Sequence, residues 1–410
     1  MKHYVIVGNG AAAVGCIEGI RSVDTEGDIT VLSGEDCPCY GRPLISYYLE
    51  GRTDEKRMLY RPADFYEKHR CNVLYGVTGQ RLETDTRLVT LSNGSAAHYD
   101  ALCVATGSSP FVPPMEGLDK VPRRFSFMTL ADAKALKAAV TPESRVFIIG
   151  AGLIGLKCAE GLHGLVKSIA VADLADRVLS SILDADGAAV AQRALEKAGL
   201  TLLLGDSVAR FEGGTAYMKS GRTVDFDILV TAVGVRPNTA LVKDAGGAVG
   251  RGITINERSE TSLPGVYAAG DCTETTDISD GKTKIMALMP NAYMQGFTAG
   301  VNMAGGDRVF DNTIPMNSIG FFGCHIMTAG SRGEELVCLT EGDTVKKLYT
   351  DGTHLTGFEL IGEVKNTGIY TSLIRTRADI TALDTENMKK TPDLSLFTAK
   401  TRQQMLGGVV

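Results

Sequence analysis

Apolar positions in this chain gather into short continuous runs, separated by glycine-rich turns and by stretches with helical spacing. Tyr4 to Val7 is a run of strand length, followed by Gly8-Asn9-Gly10-Ala11-Ala12-Ala13 and a helical stretch through Arg21. Ile29 to Leu32 predicts the next strand, and Ala101 to Ala105 predicts a further buried strand, stopped by Thr106-Gly107. Pro110, Pro113 and Pro114 then mark a linker. The same order returns afterwards. Val146 to Ile149 is apolar and β-branched, Gly150-Ala151-Gly152-Leu153-Ile154-Gly155 follows, and a helix runs towards Leu162. Ile169 to Ala172 is the paired strand, and Ile228 to Ala232 leads into Val233-Gly234 and Arg236-Pro237-Asn238. The two glycine turns lie 142 positions apart (150 − 8). A duplicated strand–turn–helix–strand plan therefore organises the chain.

From Gly265 the chain carries Val266-Tyr267-Ala268-Ala269-Gly270-Asp271, and a helix is expected from about Pro290, which suits a first turn, to about Ala304. Beyond Thr313 the character changes. Lys346 to Thr350 and Leu355 to Ile361 predict a hairpin with a type I′ turn at Asp351-Gly352. A helix around Ile369 to Arg375 and an irregular tail follow.

Composition narrows the class. Of 410 residues, 44% are hydrophobic and 22% charged, the balance of an ordinary globular chain with room for two or three domains. The net charge of −6, without a Lys/Arg block, argues against nucleic acid as a partner. No run approaches bilayer-spanning length, and the apolar start is too short for a secretory signal, so a soluble cytoplasmic protein is expected. Nine cysteines are scattered without a CxxC pair, which speaks against a metal cluster and for reduced thiols packed as small core residues.

A glycine turn between a strand and a helix lets backbone N–H groups approach a pyrophosphate, whose charge the helix N-terminus favours. Gly8, Gly10 and Ala13 have that context, and so do Gly150, Gly152, Ile154 and Gly155. An acid near the end of the second strand would hold the adenosine ribose. Asp173 stands 18 residues past Gly155 (173 − 155), and Glu35 stands 22 past Ala13 (35 − 13), with Ser33 as its rival. A carboxylate at Asp173 repels a 2′-phosphate and so favours NADH over NADPH.

With these motifs the chain resembles the pyridine nucleotide–disulfide oxidoreductases. The likeness is greatest to the branch of rubredoxin and ferredoxin reductases, NADH oxidases and the flavin module of nitrite reductases. It extends over about the first 330 residues and rests also on Ala105-Thr106-Gly107, Ala232 to Asn238, and Tyr267 to Asp271. The resemblance implies an α/β protein with two Rossmann-type, three-layer nucleotide-binding domains, one inserted in the other, plus a small C-terminal α+β domain. The expected boundaries are 1–110 with 241–312 for FAD, 111–240 for NAD(H), and 313–410 for a C-terminal interface domain. The resemblance also assigns roles. Asp271, beside Gly270, meets the flavin ribityl chain. Arg42 and Pro43 lie along the FAD pyrophosphate and flavin. Ala105, Thr106 and Gly107 form a turn close to FAD, and Gly234 one near the nicotinamide. The helix at Pro290 points its N-terminus at the flavin pyrimidine ring.

Two departures from the family bear on mechanism. Pro43, in Pro43-Leu44-Ile45-Ser46-Tyr47-Tyr48, stands where thiol-using relatives carry a cysteine, so disulfide chemistry beside the flavin is not expected. Cys37 and Cys39 lie close by, but their position suggests the adenosine side. Where many relatives place a lysine and a glutamate beside the flavin N5, this chain has Tyr47 and Lys157. Lys157 either puts its ammonium near N5 and the nicotinamide or is a solvated helix lysine; Tyr47, Tyr48, Phe321 and Phe322 either flank the flavin or pack in cores. The expected function is hydride transfer between NADH and FAD, with single electrons exchanged with an iron–sulfur protein or partner subunit. NADH oxidase activity and a non-catalytic redox-sensing flavoprotein are the alternatives. The C-terminal domain is either a homodimer interface or the surface that docks the partner.

Overall fold

The predicted apolar runs align as parallel sheets in the computed structural model, which describes residues 1–381, 383–390, 392–397, 399 and 402. The end of the predicted tail, from 403 on, lies outside them. The first sheet runs Val266–Ala268, Ala101–Val104, His3–Val7, Asp28–Ser33, Cys71–Tyr75. Every neighbouring pair in it is parallel. The second sheet runs Thr201–Leu204, Ser168–Asp173, Arg145–Ile149, Ile228–Thr231, Arg124–Phe125, again all parallel. Residues such as Val5, Ile6, Phe147 and Ile148 are wholly buried, because such sheets are covered on both faces. That two-sided burial is why these strands read as continuous apolar runs.

The duplication is deeper than the glycine turns. A three-stranded antiparallel meander sits at the same point of each half: Gly79–Glu83, Leu88–Leu91, Ala96–His98 in one, and Val208–Glu212, Thr215–Met218, Thr223–Asp225 in the other. Only the fifth strand differs. The first sheet takes it from far downstream, at Val266–Ala268, and the second from just upstream, at Arg124–Phe125. The chain leaves the first sheet along Ser108–Pro110 and returns along Val235–Pro237, and these two crossings pair antiparallel.

By its contacts the chain falls into two compact units, and both parallel sheets lie in the first, which comprises Met1–Leu174, Leu200–Thr276 and Thr283–Asp311. The second unit takes Ala175–Gly199, Asp277–Lys282 and the chain from Asn312. Its centre is an antiparallel sheet in the order Met316–Phe321, Cys324–Gly330, Leu355–Ile361, Thr344–Thr350, Glu334–Glu341. The helix Thr367–Arg375 covers it through Tyr370, Leu373 and Ile374.

The expected hairpin forms, with one correction to its turn. Thr350 pairs with Leu355, so the loop has four residues rather than two. Gly352 alone of the predicted turn pair has positive φ, at +94°. Asp351 instead accepts N–H bonds from Thr353 and His354 (3.0 and 2.7 Å), a side-chain turn that replaces the type I′ geometry. Phe321 is buried in this sheet, and Phe322 turns the hairpin before Cys324. No helix among the described residues is long and apolar enough to cross a membrane.

Candidate functional site

Both glycine turns are built alike. Gly8 and Gly150 have φ of +119° and +112°, and a Cβ on either would run into a backbone carbonyl, that of Ala105 or Ala232. Gly10 and Gly152 then cap the helices Ala11–Arg21 and Leu153–Leu162 without any side-chain cap. A Cβ at either would meet nothing within 4 Å, so space lies open beside the start of each helix, where the first N–H groups have no intrahelical partner. This is the cradle a pyrophosphate requires, and it occurs twice. Ala13 is fully buried, and Gly155 packs against the carbonyl of Gly150, which brings each helix close to its strand. Ile154 sits in the first turn of the second helix.

The acids lie beside these cradles. Asp173 accepts the Ala151 N–H at 2.6 Å, which fixes its carboxylate over the second turn. Glu35 accepts from the Tyr40 hydroxyl and the Arg42 guanidinium, both at 2.7 Å. Its rival Ser33 is buried and donates to the Glu35 carbonyl at 2.6 Å. Arg42 also donates to the Met128 carbonyl at 2.8 Å, so the strand-end acid and the predicted phosphate-side arginine share one cluster. Burial pushes the Asp271 carboxyl up, and the Arg42 charge works against that rise.

Gln295, absent from the sequence motifs, and Asn238, which ends one of them without an assigned role, position the Asp271 turn and the crossings. Gln295, 2% exposed, accepts from the Gly270 N–H at 2.9 Å and so holds the turn before Asp271. Asn238 accepts from Ser109 (2.8 Å) and donates to the Thr106 carbonyl (2.9 Å), and its own carbonyl accepts from the Thr106 hydroxyl (2.7 Å). It thereby ties the Thr106-Gly107 turn to the returning strand. Gly234, with φ +120°, receives the Phe111 N–H at 2.9 Å on the same ribbon.

The helix Met289–Met303 carries Pro290 in its first turn, as expected, and lies against Ala11–Arg21 at backbone distance. A Cβ on Gly15, Gly19, Gly296 or Gly300 would collide with a carbonyl of the facing helix, at Tyr293, Phe297, Ala12 and Cys16 respectively. The Tyr293 hydroxyl donates to Glu18 at 2.5 Å, which also takes two bonds from Arg61 (2.7 and 3.0 Å). A small residue every fourth position on both helices was the available signal.

Tyr47 and Lys157 come together. The short helix Ile45–Glu50 packs on Leu153–Leu162 at Gly161, where a Cβ would stand 2.8 Å from the Ser46 carbonyl. Lys157 lies 4.9 Å from the centre of the Tyr47 ring and pairs with Glu160. Its side chain is 17% exposed, so it is not a solvated helix lysine. Pro43 sits in the turn Arg42–Leu44, just before that helix. Burial pushes the Cys39 thiol up to about 12 and raises that of Cys37, the opposite of what a reactive thiolate needs.

The chain is 30% identical over 393 residues to the epsilon subunit of an NADH-dependent phenylglyoxylate dehydrogenase of Aromatoleum evansii, covering 93% of each. It is 32% identical over 314 residues to a probable ferredoxin reductase of Castellaniella defragrans, covering 75% of this chain and 76% of that one. The fold superposes on putidaredoxin reductase, in its covalent complex with putidaredoxin, with a TM-score of 0.87 at 23% identity, over 94% of this chain and 98% of that one. Residues 2–296 match the pyridine nucleotide-disulphide oxidoreductase family. The chain belongs to that family, as an oxidoreductase that uses FAD and NAD(H).

Proposed function

We propose that this protein takes hydride from NADH and delivers electrons one at a time to an iron–sulfur protein or partner subunit. The observation that carries this reading is Pro43. The position where thiol-using relatives would place a cysteine has no thiol, and the nearby Cys37 and Cys39 are held protonated. The two relatives above are named as a subunit of an NADH-dependent dehydrogenase and as a probable ferredoxin reductase, which supports an acceptor outside the chain.

FAD, when bound, accepts two electrons together and releases them singly. The chain's residues orient the two nucleotides. The turn at Gly8 and Gly10, with Arg42, neutralises one pyrophosphate, and the turn at Gly150 and Gly152 holds the other. Asp271, held by Gln295 through Gly270, accepts from the ribityl hydroxyls. Asp173 accepts from the adenosine ribose of NADH. Lys157, on the face of Tyr47, supplies positive charge where the two halves meet.

Mixing the FAD-loaded protein with NADH without oxygen is expected to bleach the flavin band rapidly. An added ferredoxin or rubredoxin should then restore the band much faster than air does. Fast reoxidation by air alone would make the protein an oxidase, and slow reduction by NADH would make it a sensor. Asp173→Ala is expected to raise KM for NADH by about tenfold or more while changing kcat little, because it removes uniform binding. It should also erase the preference over NADPH. Equal KM values for NADH and NADPH in the unaltered protein would refute the role given to Asp173.

A further inference from the structure

We propose that Glu160 is a positioning residue for hydride transfer, which holds the Lys157 ammonium on the Tyr47 ring and sets how much positive charge reaches the contact between the two nucleotide-binding halves. The inference rests on the proposed role of that contact in bringing NADH to FAD.

The geometry is specific. Helix Ile45–Glu50 follows directly on Arg42–Leu44, on the FAD side, and helix Leu153–Leu162 follows directly on the Gly152 cradle, on the NAD side. Their backbones meet at Gly161 and Ser46, next to Tyr47 and one turn from Lys157, which brings the two side chains within reach of each other. Lys157 and Glu160 are 17% and 15% exposed at the side chain. In so little water an ammonium is strongly felt by its neighbours, and so is the carboxylate that masks it. The ring adds attraction on the ammonium's other side. Arg52 lies 4.9 Å from the same ring, but it is 62% exposed and pairs with Glu50, so solvent screens it. Lys137 is engaged with the Tyr48 ring and carbonyl. Lys157 and Glu160 therefore contribute charge of opposite sign beside Tyr47.

A pair that only stabilised its helix would leave the cofactor untouched. A pair that sets local charge acts with opposite signs when either member is removed. Lys157→Gln takes positive charge away and should lower the reduction potential of bound FAD. Glu160→Gln unmasks the ammonium and should raise it, and Glu160→Asp, which keeps the charge, should stay near the unaltered protein.

The potentials are read by chemical reduction of the FAD-loaded protein, so they do not depend on NADH. In a second measurement, anaerobic reduction by NADH should slow by about tenfold in Lys157→Gln, with KM changed far less. Shifts of opposite sign support the inference. Shifts of the same sign, or none, overturn it, even if the variants lose thermal stability. Failure of NADH to reduce the unaltered protein would instead overturn the proposed function and leave the potential measurements to judge Glu160 separately. Should Glu160→Gln not retain FAD, Glu160→Ala tests the same point, because it also removes the carboxylate and should move the potential in the direction opposite to Lys157→Gln.

Discussion

Glu359→Gln is expected to stabilise the protein at pH 8 by about 3 kcal/mol and to make little difference at pH 4.5. Glu359 lies on the strand Leu355–Ile361 of the C-terminal sheet and is 1% exposed. Burial, and then repulsion from Asp184, raise its carboxyl from 4.5 to about 7. The Asp184 N–H at 3.2 Å and Arg332 at 3.3 Å oppose the rise without cancelling it. Lys347 is committed to Asp184 and Asp186, and Tyr349 lies close enough to feel the Glu359 charge.

The sign follows from proton counting. Between pH 4.5 and 7 the unfolded chain releases this proton while the folded chain keeps it. The contribution of Glu359 is thus fully present below pH 4.5, falls as pH rises towards 7, and is flat above that. A rise from 4.5 to about 7 corresponds to about 3 kcal/mol, and glutamine avoids the cost because it carries no charge. Urea unfolding from pH 4.5 to 8.5 checks it. A stability difference that stays constant across that range would show that Glu359 titrates normally.

Gly296→Val is expected to cost the protein its bound FAD and about 3 kcal/mol of stability. At this position even a Cβ would overlap the Ala12 carbonyl, which is backbone and cannot rotate away. The helix Met289–Met303 would have to move off Ala11–Arg21. Gln295, one residue away, would then lose its hold on Gly270, and the cradle at Gly10 would be displaced relative to Asp271. Flavin released per chain on heating, together with Tm, measures both effects. Gly368→Ala is the control, since a Cβ there meets nothing within 4 Å and the site is inside a helix. If Gly296→Val retained a full complement of FAD, the close packing of these helices would not be what positions the flavin-side residues.

Much of the fold was legible because covered parallel strands leave continuous apolar runs and a pyrophosphate cradle demands glycine at fixed spacing. Both glycine turns and the helix at Pro290 stand where those rules place them. The strand Cys71–Tyr75 and the two antiparallel meanders were not legible, because their exposed or half-exposed positions break the apolar signal. The turn at Asp351 was misread because a side-chain hydrogen bond, not backbone propensity, decided its length.

By itself the sequence determined the duplication, the two glycine turns, an acid at the end of the paired strand at Asp173 and the absence of a thiol at Pro43. These depend on residue type at local spacing. Only the tertiary structure decided that Lys157 is held between Glu160 and Tyr47 rather than solvated, that Asn238 ties the two crossings together, and that Gln295 holds the turn before Asp271. Each joins residues 25 to 132 positions apart, or turns on which face of a helix is covered, and chain spacing carries no record of either.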